Sequence, residues 1–124
     1  MRFVPMPPRR LSNYLKMYRK RSTLTQEEMA FLLGAARDSK VSRYENGRRI
    51  PAFPAILAYS IVFNAPLHDL FAGHYEETAI TIHKRAQRLL AKLGTKPASP
   101  ALARKMQFLQ ELAHRQPPRD ITTP

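Results

Sequence analysis

The polar and cationic side chains between residues 39 and 46 offer the clearest chemistry in this sequence. Val41 and Tyr44 are three residues apart, so a helix over this segment would turn both of them inward. The outer face would then carry only hydrogen-bonding groups, namely Ser39, Lys40, Ser42, Arg43 and Asn46. The major groove of B-DNA admits one helix, and its base edges present donors and acceptors to such groups. The segment therefore predicts a helix that can read DNA sequence.

Arg43 is the strongest candidate for a base contact, because a guanidinium can pair with the two acceptors of guanine. Ser39 and Lys40 lie near the start of the helix and are expected to contact bases as well. Phosphate contacts supply much of the affinity in protein–DNA complexes, and arginines beside a reading helix can make them. The candidate phosphate contacts are Ser42, Asn46, Arg48 and Arg49. The alternative for Arg48 and Arg49 is that they belong to a solvated surface and contact no DNA.

A second helix must hold the reading helix in place, and the sequence predicts one directly before it. Thr25 and Glu28 form a capping box, in which each side chain satisfies an unpaired amide of the first turn, so this helix starts at Gln26. Gly34 suits the left-handed residue that ends a helix. Apolar residues recur at helical spacing between these limits, at Met29, Leu32 and Leu33, and Ala30 is small enough for a close helix crossing. Two short helices joined by a turn at residues 35–38 make a helix-turn-helix.

These segments resemble the Cro/repressor-type (Xre-type) helix-turn-helix transcriptional regulators. The resemblance covers about residues 11–71 and rests on LTQEEMAFLLG, on VSRYENGRRIP, and on the apolar helix and LHDLF that follow. It implies that Gln26 contacts a phosphate, that the second helix of the motif reads bases, and that Arg19 and Glu45 form a structural ion pair. Removing one member would cost roughly 3–5 kcal/mol if the pair is buried, but at most about 1 kcal/mol if it is exposed.

The turn departs from the usual pattern of that family, since six residues rather than five separate Gly34 from Val41. Arg37 and Asp38 either touch DNA or belong to a longer turn, and Arg37 is included among the expected base contacts. A carboxylate facing a polyanion is acceptable only opposite a cytosine amino group. We therefore expect Asp38 to act as the N-cap of the reading helix.

The predicted fold is all-α: a five-helix, lambda-repressor-like DNA-binding domain over residues 9–72, with a two-helix C-terminal appendix. Helix one is expected from Arg9 or Arg10 to Lys20, with an apolar stripe of Leu11, Leu15 and Tyr18. The fourth helix begins at Pro54, ends at Asn64 and is apolar almost all round, which is typical of a buried helix. A short fifth helix follows Pro66 and presents Leu67, Leu70 and Phe71.

Residues 73–115 predict two amphipathic helices. The first has a heptad seam, at Tyr75, Ala79, Ile82, Ala86, Leu89 and Leu93. Gly94 ends it, Ser99 can cap the next helix with Pro100 at its first position, and the second stripe is Leu102, Met106, Leu109 and Ala113. The two helices either fold back on the domain as a hairpin or pair with a second subunit. A homodimer is favoured, because helix-turn-helix proteins commonly bind two half-sites about one helical turn apart. Residues 1–8 are expected to form an extended arm and residues 116–124 a disordered tail.

Composition agrees with a polyanionic partner such as double-stranded DNA. The 124 residues include 21 Lys and Arg against 9 Asp and Glu, which gives a formal charge of +12. Cysteine is absent, so disulfides and thiolate metal sites are excluded. No apolar run is long enough to cross a membrane, and prolines interrupt the amino-terminal segment where a signal peptide has its apolar core, so we expect a cytoplasmic protein.

No group of residues has the types and spacing that catalysis needs, so no enzyme activity, cofactor or metal is expected. His68, Asp69, His74, Glu76 and Glu77 are the best metal-site candidates, but their spacing matches no established ligand pattern and surface side chains explain them better. The predicted function is sequence-specific DNA binding that regulates transcription, as a repressor. Two alternatives stay open: an antitoxin or adaptor that binds a protein partner through residues 75–115, and a non-specific nucleic-acid binder.

Overall fold

The computed structural model describes residues 11–115, and every regular element in that range is an α-helix. The helices are α1 (Leu15–Arg21), α2 (Gln26–Leu33), α3 (Asp38–Glu45), α4 (Phe53–Phe63), α5 (Leu67–Leu70), α6 (Ala72–Leu93) and α7 (Pro100–His114). The all-α prediction is therefore confirmed. The chain divides into two compact units between His74 and Tyr75. The expected arm at residues 1–8 and tail at residues 116–124 lie outside the described residues, as do Arg9 and Arg10.

Five helices of the first unit share one hydrophobic core. Its buried residues are Leu15, Met29, Ala30, Val41, Tyr44, Tyr59, Ala65 and Leu70, which come from α1 to α5 and the segment before α5. Removing this apolar surface from water is the main force that holds such short helices together, since helices of 4 to 11 residues are marginal in isolation. The five-helix arrangement predicted from the sequence is confirmed.

The first helix begins later than predicted, at Leu15, and residues 11–14 are not helical. Their polar groups bond to distant parts of the chain instead. The Tyr14 amide donates to the Leu70 carbonyl oxygen at 2.8 Å, and Asn13 Nδ2 donates to the Tyr44 carbonyl oxygen at 2.9 Å. Leu11 consequently leaves the predicted stripe and is 60% exposed. Tertiary hydrogen bonds outweigh the helical pattern here.

The capping box that starts α2 is present as predicted. Thr25 Oγ1 accepts from the Glu28 amide at 3.0 Å, and Glu28 Oε1 accepts from the Thr25 amide at 2.9 Å. These bonds, the backbone one first, lower the pKa of Glu28. Gly34 ends the helix with φ of 70°. Leu32, however, was expected on the apolar stripe and is exposed, as is Phe31 beside it, because Met29 and Ala30 take the buried positions.

The prediction that α4 is a buried helix is wrong. Phe53, Leu57 and Ile61 follow one another at four-residue spacing and all lie exposed on one face, whereas Tyr59 is fully buried. A domain this small covers only one side of each helix, so an apolar helix keeps a bare face. The ends of α4 match the sequence prediction: Pro54 lies in its first turn, and Asn64 ends it with φ of 50°.

The second unit is built from the pairing of α7 with α6. Ala86, Leu93 and Leu109 are buried at this contact, and Leu90, Leu102, Met106, Leu112 and Ala113 pack around them. Ser99 Oγ caps α7 by accepting from the Leu102 amide at 3.1 Å, as predicted. Of the predicted heptad seam, Ala86 and Leu93 are buried against α7, whereas Tyr75, Ile82 and Leu89 are exposed. Leu90, which lies outside the predicted seam, packs against this cluster. No helix within residues 11–115 is long and apolar enough to cross a membrane.

Candidate nucleic-acid interface

Helix α3 turns its apolar residues inward and its polar residues outward. Val41 and Tyr44 are buried in the core, as the sequence predicted. Ser39, Arg43 and Asn46 are exposed, while Lys40 and Ser42 are half-buried at the edges of the same face. Asn46 Nδ2 also donates to Ser42 Oγ at 3.4 Å, which links the two expected phosphate contacts. The outer face of α3 is one helix wide and carries hydrogen-bonding side chains, which is the shape and chemistry that a major groove accepts.

Glu45 fastens the inner side of α3 to two other helices. Its carboxylate accepts from Arg19 Nε of α1 at 2.6 Å and Arg19 Nη2 at 3.1 Å, and from Gln26 Nε2 of α2 at 3.1 Å. Arg19 Nη1 donates to the Leu24 carbonyl oxygen at 2.8 Å, so the loop between α1 and α2 is held as well. The hydrogen bond to Glu45 raises the pKa of Arg19.

The Arg19–Glu45 ion pair is buried. The Glu45 side chain is 1% exposed and the Arg19 side chain 10% exposed. Because the pair is buried, removing one of its members should cost the larger of the two free energies given above for buried and exposed pairs. The pair fixes the position of α3 against α1 and α2 while leaving the outer face of α3 open.

Tyr44 provides a second anchor for α3. Its ring packs edge-on against Tyr59 of α4, with ring centroids 6.4 Å apart and planes at 75°. Its carbonyl oxygen accepts the hydrogen bond from Asn13 Nδ2. The Tyr59 hydroxyl is buried and has no hydrogen-bond partner among the described residues, and burial raises the pKa of this phenol.

The turn before α3 settles the position of Asp38. Arg37 has extended backbone angles, φ −144° and ψ 146°, and takes the N-cap position without a side-chain capping bond. Asp38 is the first helical residue, so the prediction that Asp38 is the N-cap is wrong. The additional residue of the turn lies before the helix, and the Asp38 carboxylate therefore sits in the first turn, where it can interact favourably with the helix dipole. The Arg37 side chain is exposed beside the start of α3.

The loop after α3 brings two further arginines to the same end of the helix. Gly47 has φ of 72°, which lets the chain reverse, and the Arg48 and Arg49 amides donate to the Arg43 carbonyl oxygen at 3.0 and 3.3 Å. Both arginines are exposed. The backbone of these two arginines is thus bonded to that of Arg43, the strongest candidate for a base contact, so all three residues lie at the carboxyl end of α3.

Two features of this site were missed by sequence reasoning. The hydrogen bond between Asn13 and Tyr44 joins residues 31 positions apart, and no local sequence pattern predicts it. The Gln26–Glu45 bond joins residues 19 positions apart, and no local sequence pattern predicts it either. Gln26 was expected only to contact a phosphate, and its Nε2 group also donates to Glu45.

The histidine-rich segment at residues 68–77 does not assemble a metal site. His68 Nε2 lies 3.5 Å from Asp69 Oδ1, but no group of three or more His, Asp or Glu side chains within residues 11–115 is placed to hold a metal ion.

Comparison with known proteins matches the first unit to a protein family. A family model described as a helix-turn-helix domain matches residues 10–70. No curated protein and no solved structure matches the chain.

Proposed function

Residues 10–70 belong to the helix-turn-helix domain family of the Cro/Xre-like type, and from this premise we propose that the protein is a sequence-specific transcriptional regulator that acts as a repressor. Helix α3 enters the major groove of double-stranded DNA. The bases are contacted by Arg37, Ser39, Lys40 and Arg43, and the phosphates by Gln26, Ser42, Asn46, Arg48 and Arg49. A bound repressor of this kind acts by occupying a site that transcription requires.

The observation that carries this proposal is the contrast between the two faces of α3. The inner face is fixed by Val41, Tyr44 and the buried Arg19–Glu45 pair, so the helix needs little rearrangement on binding. The outer face carries polar and cationic groups. A side chain on a rigid helix loses less conformational freedom when it pairs with a base, and this favours specific contacts over loose electrostatic ones.

The experiment that tests the proposal is selection of bound duplexes from a random DNA pool at about 150 mM salt with competitor DNA, because specificity has meaning only at a stated salt concentration. An enriched inverted repeat supports a dimeric sequence reader and supplies the operator. Binding without an enriched sequence contradicts sequence-specific regulation and favours a non-specific binder. Absence of binding favours an adaptor that needs a protein partner.

Arg43→Ala separates a base contact from a general loss of charge. The variant should weaken binding to the selected site by about 1–3 kcal/mol and relax the sequence preference at one position. Arg104→Ala is the matched control, since Arg104 is exposed on α7 and its loss changes the net charge equally. Equal losses for Arg43→Ala on selected and random DNA would contradict its role.

The loop arginines should behave differently from Arg43. Arg48→Ala or Arg49→Ala removes one cation that neutralises a phosphate, which lowers affinity for selected and random DNA alike. The slope of log K against log salt should become shallower by about 0.9 for each phosphate that the protein no longer neutralises. An unchanged slope would place the two arginines away from the phosphates.

A further inference from the structure

A cavity lies between α6 and α7 inside the second unit, and its volume is about 190 Å³. Three of its lining residues on α6 are Tyr75, Ala79 and Ile82, whose spacing of four and three residues places them on one face of the helix. Leu112 and Arg115 line it from α7 and are three residues apart. Both helices therefore direct one face towards the same space.

The cavity lies where the close packing of the two helices ends. Helix α6 has 22 residues and α7 has 15, so with a rise of about 1.5 Å per residue α6 is longer by about 10 Å. The buried cluster of the second unit lies farther along α6, around Ala86 and Leu93. Nearer the start of α6, the small side chain of Ala79 leaves room. Tyr75 and Ile82 are 45% and 37% exposed, since the cavity opens to solvent.

The cavity combines an apolar lining with cationic chemistry. The Arg115 guanidinium is always charged, and no hydrogen bond or ion pair joins its side chain to another residue within the range 11–115. His83 is half-buried at the same cavity, and an imidazole N–H can donate a hydrogen bond. None of the lining residues in the described range is acidic. A complementary ligand therefore has an apolar body and an anionic end.

The volume of the cavity sets the size of that apolar body. An apolar cavity of roughly 150 Å³ takes up one benzene ring. The cavity between α6 and α7 is somewhat larger, so a single ring with a short alkyl arm fills it. A carboxylate at the end of the arm matches the guanidinium, which can donate two parallel hydrogen bonds to it.

We propose that this cavity binds a small carboxylic acid whose apolar body is about the size of one aromatic ring. The ring contacts Ala79, Ile82 and Leu112, and the carboxylate pairs with Arg115, with His83 as a second donor. The site lies outside residues 10–70, which match the helix-turn-helix family, so the inference goes beyond the proposed DNA binding.

Calorimetric titration of the full chain with 3-phenylpropanoate at about 150 mM salt tests the site. A ligand of about eleven non-hydrogen atoms should bind with a Kd between ~10 µM and ~1 mM at ordinary ligand efficiencies. 3-Phenylpropanamide has the same size without the charge and should bind at least about 5-fold more weakly, while the cation 3-phenylpropylamine should not bind. Equal affinities for the acid and the amide would overturn the proposal, as would the absence of saturable binding of the acid up to about 10 mM.

Amide NMR spectra of the full chain locate the binding. Titration with 3-phenylpropanoate should shift resonances of residues 75–115 and leave those of α2 and α3 unchanged. Shifts confined to the first unit would overturn the proposal.

Arg115→Gln tests the charge at the cavity. The variant should weaken binding of 3-phenylpropanoate by at least about 5-fold and leave binding of the amide unchanged, because only the acid loses a charge partner. Arg104→Gln is the matched control, since Arg104 is exposed on α7, does not line the cavity, and its loss changes the net charge equally. Equal losses in both variants would show general attraction of an anion to a basic protein and would contradict the site.

Ala79→Leu tests the apolar part of the cavity. The larger side chain fills the space, so binding of the acid and the amide should both be lost. Helical content measured by circular dichroism should be unchanged, because leucine is nearly as good a helix former as alanine. Wild-type affinity for 3-phenylpropanoate in this variant would place the ligand elsewhere and overturn the proposal. None of these measurements needs DNA, so their failure is distinguishable from failure of the proposed function.

Discussion

Replacing Glu45 by Ala tests whether the buried ion pair holds α3 in place. The Arg19 side chain is 10% exposed in the intact protein, and the change leaves its guanidinium with the Leu24 carbonyl oxygen as the remaining partner. The change also removes the acceptor of Gln26 Nε2. An uncompensated buried charge of this kind costs about 3–5 kcal/mol. A domain of this size has only ~3–10 kcal/mol of stability in total. Glu45→Ala should therefore bring the first unit close to unfolding at room temperature.

Urea and thermal denaturation of the full chain measure this loss, and amide hydrogen exchange locates it in α3. A loss of ~3 kcal/mol should lower Tm by at least about 12 °C. Glu27→Ala is the matched control, because Glu27 is an exposed acid on α2 and its removal should change stability by no more than about 0.5 kcal/mol.

A double variant separates the effect of an unpaired buried charge from the effect of lost packing. In Arg19→Met/Glu45→Leu both charges are gone and apolar side chains fill their space. Its loss of stability should therefore be smaller, by about 2 kcal/mol or more, than the sum of the losses for Arg19→Met and Glu45→Leu alone. A cost of less than about 1 kcal/mol for Glu45→Ala would contradict a stabilising buried pair, because the pair would then behave as an exposed one.

Three further changes test local features of the fold. Tyr59→Phe should raise the free energy of unfolding by about 1 kcal/mol in urea titration, because it removes a buried hydroxyl without a partner, and a clear loss would reveal a bond to that group. Gly73→Ala should cost about 2 kcal/mol, since an added Cβ would overlap the Leu11 carbonyl group, whereas Gly94→Ala has room and should cost less than about 0.5 kcal/mol. Glu28 has a lowered pKa in the folded state, so its contribution is present above its ordinary value of 4.5 and is lost as the pH falls through the lowered value. Wild type should therefore lose more stability than Glu28→Gln on acidification below 4.5, and equal losses would contradict the capping role.

Helix limits were predictable where the signal lies within one turn. The capping box at Thr25, the left-handed residues Gly34 and Asn64, and the cap at Ser99 all occur where the sequence placed them. Each of these signals works through hydrogen bonds or backbone angles of neighbouring residues, so no knowledge of the rest of the fold is needed. The inward positions of Val41 and Tyr44 follow from helical periodicity in the same way.

Predictions failed where a distant group decides the outcome. Residues 11–14 continue an apolar pattern into α1, yet their bonds to Tyr44 and Leu70 keep them out of the helix. Asp38 has the right chemistry for an N-cap, but the longer turn places Arg37 there. The residues that contact DNA remain a proposal, since their exposure shows which groups are available and the DNA itself selects among them.

The sequence by itself determined the all-helical class, the helix-turn-helix motif and the polar face of α3, because these follow from periodicity, capping and residue chemistry over a few turns. Only the tertiary structure decided which apolar residues are covered. Leu57 and Leu89 fit the patterns of buried residues as well as Leu90 does, yet both are exposed. Burial depends on whether a neighbouring helix reaches a given face, and that is set by the direction in which the helices cross rather than by the residues of the face alone.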